Sequence, residues 1–201
     1  MKNGLHDLFR RIRIDASEEL VYTPLYQIGA LAAIRNDYRQ LIDSHPSEES
    51  VQQFLQNNPV LWHFLGPTKI IPKPPVLVRF KADFAILSAN KILYIVEIEK
   101  PGTKLALTSG GMHSQLQKGL DQIRDWRVVV QNHRKAFLEE LGLKDGEEDD
   151  VRYILVAGLS HSTNPAHLMT LQRNMPPDVL LYTFDDLSAF LHSTECELAR
   201  L

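Results

Sequence analysis

One stretch, Lys81 to Pro101 (KADFAILSANKILYIVEIEKP), constrains this chain more than any other. It reads as two short strands, Ala82–Leu87 and Ile92–Glu99, turned at Ala89-Asn90. Both halves are rich in β-branched and aromatic residues and are bounded by turn formers. Side chains alternate along a strand, so Leu93, Ile95, Glu97 and Glu99 share one face and Tyr94, Val96 and Ile98 the other. A run this apolar belongs in a sheet covered on both sides, yet one of its faces ends in two carboxylates. Hairpin pairing brings Asp83, near the start of the first strand, beside the end of the second, where Glu97 sits. A buried carboxylate is costly unless a cation, a proton or a donor compensates it. Two readings stand at this point. The three acids converge on a divalent metal, or they mark strand ends in solvent with Lys81, Lys100 and Lys104 as surface partners.

Composition narrows the function classes. At 201 residues, 44% hydrophobic and 23% charged, the chain is an ordinary globular one with room for one sizeable core and a small helical appendage. A net charge of -3 and a pI near 6.2 argue against coating nucleic acid through bulk charge, but leave room for a local basic groove. The single cysteine, Cys196, excludes an intrachain disulfide and a cysteine zinc site and fits a reducing, cytoplasmic setting. No apolar run has the length of a signal peptide or a membrane span, so no membrane association is expected.

Taken in order, residues 1–23 carry a weak pattern that suits an amphipathic helix or a strand around Phe9–Ile14. From Pro24 to Asp43 apolar residues recur at helical spacing, and Gly29, Ala30, Ala32 and Ala33 would let another helix come close, in the core or at a dimer seam. Ser47 fits an N-cap for a helix Glu48–Asn57 that buries Val51, Phe54 and Leu55. By residue type alone, Glu48 is a helix-start glutamate that favours the dipole. Strand pieces Lys69–Ile71 and Val76–Phe80 flank Pro72-Lys73-Pro74-Pro75, which should not pair within a sheet. After the hairpin come a loop, Gly102–Gly111, and a long helix over about Met112–Leu141. An acidic turn (Asp145–Asp150) should be solvated. A buried strand Tyr153–Ala157, a helix Pro165–Asn174, a strand Val179–Thr183 and a helix Asp185–His192 follow. From Glu48 the first six elements are αβββαβ, a mixed α/β sheet of an early meander and a later helical crossover.

That order, with Asp83 and a Glu97-x-Glu99 pair on adjacent strands, resembles the PD-(D/E)XK restriction-endonuclease-like superfamily. More narrowly, the chain resembles the Shedu-type (SduA C-terminal-like) nuclease domain of bacterial anti-phage defence. EESVQQFLQNNPVLW (Glu48–Trp62), ADFAIL (Ala82–Leu87), YIVEIEKP (Tyr94–Pro101), LDQIRDW (Leu120–Trp126) and VLLYTFDDL (Val179–Leu187) carry the likeness over about residues 46–192. The resemblance implies a restriction-endonuclease-like core flanked by helices over 46–201, with residues 1–45 as an N-terminal helical extension available for oligomerisation or docking. It implies a metal-dependent endonuclease acting on nucleic acid, DNA foremost. Asp83 and Glu97 would hold Mg²⁺ (or Mn²⁺) with the Ile98 carbonyl. Glu48 would add an acid from the first helix, and Gln122 would orient substrate or water.

One position departs from the superfamily. A lysine usually stands two residues after the second metal-binding acid, and here that place is Glu99. Lys100 would have to reach round from the opposite face, Lys81 would supply an ammonium from the neighbouring strand, or Glu99 would serve as a further ligand or base. The rival expectation is an inactive module of the same fold that binds nucleic acid or a protein. The basic residues between Lys69 and Lys104 (Lys69, Lys73, Arg79, Lys81, Lys91, Lys100, Lys104) suit a phosphate-contacting groove or a scatter of solubilising charge.

Overall fold

The computed structural model describes residues 28–76, 80–144 and 146–200. The readings of residues 1–27 and of Arg79 lie outside them. Among the described residues no helix is long and apolar enough to cross a membrane.

Helix α1 (Ile28–Asp43) is followed by α2 (Glu48–Asn57), whose start is fixed as the sequence predicts. The Ser47 hydroxyl accepts from Ser50 N at 3.2 Å, and Glu48 and Glu49 occupy the first turn. The apolar run Pro59–Leu65 winds into a 3-10 helix that buries Val60, Leu61 and Trp62. Then come β1 (Pro67–Pro72), β2 (Pro75–Val76), β3 (Phe80–Lys81), β4 (Phe84–Ser88) and β5 (Ile92–Ile98). Helix α3 (Ser114–Glu140) leads to β6 (Asp150–Val156), and α4 (Pro165–Arg173) to β7 (Val179–Tyr182). Helix α5 (Phe184–Leu198) begins with a capping box between Thr183 and Asp186.

Five strands form one sheet in the order β1-β4-β5-β6-β7. The β1–β4 and β4–β5 pairs are antiparallel, and β5–β6 and β6–β7 are parallel. This is the mixed α/β sheet expected of αβββαβ: a meander first, then strands delivered by helical crossovers. One expectation fails at the prolines. Pro72 pairs with Phe84, and Pro75 pairs with Lys81 in a separate β2–β3 ribbon. β1 is an edge strand and Pro72 ends it, so its missing N–H breaks no interior ladder.

The alternation read in Ile92–Glu99 decides how the sheet is covered. Leu93 and Ile95 pack against Leu116, Ile123 and Trp126 of α3 and Leu171 of α4. Tyr94, Val96 and Ile98 face the opposite layer, built from α1, α2, the 3-10 segment and α5. Helix α1 buries Leu31, Tyr38 and Ile42 in that second layer and is tied to α5 by the Tyr38 hydroxyl, which donates to Phe184 O at 3.2 Å. Glycine is required at two places near the strand ends. A Cβ on Gly119 would lie 2.8 Å from Leu155 Cδ1, so its absence lets α3 lie close on β6. Gly158, at φ +62°, follows β6 where a Cβ would come within 2.6 Å of the Thr103 carbonyl.

Candidate metal centre

The acidic residues meet where β4 begins and β5 ends. Asp83 immediately precedes β4, and its backbone is held from both sides. Its N–H donates to Val96 O at 3.0 Å, and its carbonyl accepts from Lys73 N at 2.8 Å. Its carboxylate lies along the sheet, taking the rung that a further residue of β4 would have filled. Oδ2 accepts from Ile98 N at 2.7 Å, while Ala82 N turns away to Pro74 O. Oδ1 accepts from Gln52 Nε2 of α2 at 2.5 Å, and the same amide reaches Glu48 Oε1 at 3.2 Å. Gln52 thus joins α2 to the hairpin through Asp83 while also holding Glu48 on its own helix.

Glu97 points to the other flank of the site. It is 6% exposed and hydrogen-bonded by Gln122 of α3. Glu99, half-buried, follows on the same face, its Cγ 3.4 Å from where a Cβ of Gly119 would stand. The close approach of α3 at Gly119 therefore walls in both glutamates. Glu48 is half-buried on α2 whereas Glu49 is exposed, so the helix offers Glu48 to the cluster.

The electrostatics follow from this packing. Burial pushes the Asp83 carboxyl up to about 7. The Ile98 amide and the Lys73 charge pull it down, and Glu48 and Glu99 add to the rise. Burial, with Asp83, Glu99 and Glu48 adding to it, pushes Glu97 up to about 9 against the Gln122 bond. Burial also raises Glu99, with Glu48 reinforcing and Lys118 and Lys100 opposing. Four carboxylates thus share a partly desolvated site with little positive charge to balance them.

Such a set fits a hard divalent cation in kind, since carboxylate oxygens are its preferred donors and its charge would relieve this repulsion. Among the described residues, however, no three acidic, imidazole or thiol groups close around one point. Gln52 and the Ile98 N–H each donate to one Asp83 oxygen, which leaves a further lone pair on each oxygen for a cation.

The sequence-derived residues divide as follows. Glu48, Asp83, Glu97, Glu99 and Gln122 come together, with Ile98 bound to Asp83 through its N–H. The Lys100 charge reaches Glu99. Lys81 is exposed on β3, and its side chain makes no hydrogen bond or ion pair among the described residues. The basic groove contracts. Lys69 reaches the carbonyls of Leu141 and Gly142 at 3.3 and 3.4 Å, and Lys91 lies 4.0 Å from Asp149. Both stand at the opposite end of the hairpin from Glu97, leaving Lys73, Lys81, Lys100, Lys104 and Lys118 nearer the acids. One participant, Gln52, was missed although it had a usable signal, four residues after Glu48 on a half-buried helix face. Lys73 stood in the sequence only as one of seven groove residues, because the β1–β4 register alone puts it beside Asp83.

No curated protein matches the chain significantly. A family model described as "Shedu protein SduA, C-terminal" matches residues 45–188, from the turn before α2 to the first turns of α5. That span is more than half of the 201 residues and takes in every strand of the sheet and all the acids discussed above. The chain therefore belongs to the Shedu protein SduA C-terminal family.

Proposed function

We propose that this chain is a Mg²⁺- or Mn²⁺-dependent nuclease domain that hydrolyses phosphodiesters, DNA foremost, in a cytoplasmic Shedu-type anti-phage system. The observation that carries the reading is the buried carboxyl set at one end of the sheet, centred on Asp83 and Glu97, where burial and mutual repulsion outweigh the Ile98 amide, Lys73 and Gln122. Carboxyls gathered in this way at a free-energy cost are a mark of functional sites. Asp83 and Glu97 would hold the cation, with Glu48 completing its surroundings and the Ile98 carbonyl as a further hard donor. When bound, the cation would acidify a water and neutralise charge on the phosphoryl group. Glu99 accepts the proton of the attacking water. The water oxygen forms the new bond to phosphorus as the bond to the leaving oxygen breaks, and that oxygen is protonated from solvent. Burial raises the Glu99 carboxyl above its ordinary value, which makes its ionised form a stronger base. Gln122, bonded to Glu97, keeps that carboxylate turned to the site.

The test is incubation of the purified chain with supercoiled and linear DNA in Mg²⁺ or Mn²⁺, beside Asp83→Ala and Glu97→Ala. Nicking or linearisation that disappears in both variants is the expected result. A glutamate, Glu99, where the superfamily has lysine favours a second reading: a binding module without chemistry. DNA retention without cleavage in either metal selects it.

A further inference from the structure

We propose that Lys73 supplies the ammonium of this site, holding the scissile phosphate against Asp83 and Glu97 from the β1 side of the sheet. The inference rests on the nuclease reading and names a substrate-contacting residue within it.

β1 ends at Pro72, paired with Phe84, and the next residue donates its N–H to Asp83 O at 2.8 Å. In the order β1-β4-β5, Asp83 is therefore flanked by Lys73 on one side and by Ile98 and Glu97 on the other. An ammonium from Lys73 approaches the acids from the strand opposite the one bearing Glu99. The side chain is exposed, and its backbone is fixed beside Asp83.

The backbone adds a second observation. Lys73 has φ +48°, in the left-handed region, and lies between Pro72 and Pro74. A following proline disfavours helical backbone in the residue before it, and glycine would adopt this φ more easily. A lysine held in a costly conformation beside a cluster of acids suggests that its side chain is needed there. Its charge already acts on Asp83, opposing Glu48 and Glu99. The alternatives are placed less well. The Lys100 charge bears on Glu99, and Lys81 sits on the β2–β3 ribbon opposite Pro75. Phosphodiester cleavage concentrates negative charge on the phosphoryl oxygens. A lysine ammonium is a compact point charge suited to meet it.

Lys73→Gly removes the ammonium while easing the backbone, so it separates chemistry from folding. Wild type, Lys73→Gly, Lys73→Arg and Asp83→Ala are compared for cleavage of supercoiled DNA in Mg²⁺ and Mn²⁺. Melting temperature with and without Mg²⁺, and retention of a short duplex in Ca²⁺, are read on the same proteins. Lys73→Gly is expected to melt at or above wild type and to keep the Mg²⁺-induced rise. Its kcat should fall ~100-fold and its duplex retention should weaken. Lys73→Arg should recover part of the loss. Lys73→Gly cleaving within about threefold of wild type, while Asp83→Ala is inert, overturns the assignment and leaves the nuclease reading standing. A lowered melting temperature, or a lost Mg²⁺ response, in Lys73→Gly also overturns it by making the residue structural or a part of the cation site. Wild type inert in both metals removes the nuclease reading, and this inference with it.

Discussion

Glu97 stands where two requirements of physical chemistry conflict, since the sheet must be covered on both faces while a carboxylate needs water or a counter-charge. With Asp83 near about 7 and Glu97 near about 9, each binds a proton more tightly folded than unfolded, where carboxyls titrate near about 4. The stability that proton provides is complete below about pH 4 and is lost as pH rises through those two values. The metal-free protein should therefore lose melting temperature steadily between about pH 5 and pH 9. Mg²⁺ should restore more of it at the upper end, because cation and proton compete for the same oxygens. Glu97→Gln should flatten most of the decline. Scanning calorimetry across that range checks all three, and a flat profile in the wild type contradicts them. The convergence of Asp83 and Glu97 was legible, because strand alternation and hairpin register fix it in a short stretch. Lys73 was not, because it depends on how an edge strand lies against a neighbour ten residues further along the chain.

Elements were legible where the local signal and the packing agree. Helix α2 runs from Glu48 to Asn57 as its cap and apolar spacing require, and β5 begins at Ile92 as its composition does. The proline-rich stretch was misread because the usual exclusion of proline from sheets holds for interior strands, and β1 is at an edge. Helix α3 was read within two residues at its start, but its non-helical turn at His133 (φ -135°, ψ 34°) has no glycine or proline to announce it. The same helix yields a sharper expectation at Gly119. Valine there would drive its Cβ into Leu155 Cδ1 and press on the Glu99 side chain. A loss of about 1–3 kcal/mol in urea unfolding is expected. Cleavage measured well below the unfolding midpoint should fall further than the fraction folded, because α3 also positions Gln122. Unchanged stability would show that α3 does not bear on β6 as described.

For the molecule as a whole, the two-sided covering of the sheet was implied by the apolar run in β5, but the ties between distant segments were not. The acidic stretch before β6 looked fully solvated, yet Glu148 is 8% exposed and receives two hydrogen bonds from Arg134 of α3. One-dimensional charge runs do not reveal which member a helix will cover. Arg134→Met should cost about 1–3 kcal/mol by leaving a buried carboxylate without its partner, tempered by the half-exposure of the arginine. Glu148→Gln should cost less, and thermal melting of the two variants orders them. The family match stops at residue 188, whereas α1 lies before it and α5 continues to Leu198. These outlying pieces hold each other through Arg35 and Glu195 at 3.0 Å, and Arg39 ties α1 to Ser188, the last matched residue, at 3.0 Å. One feature of the acidic site extends beyond it. Since the Asp83 carboxylate completes the hydrogen-bond ladder at Ile98, a cation drawn to that carboxylate would act on a single main-chain proton. The Ile98 amide resonance is thus a built-in gauge, whose frequency and exchange rate should register an arriving ion before any substrate is present.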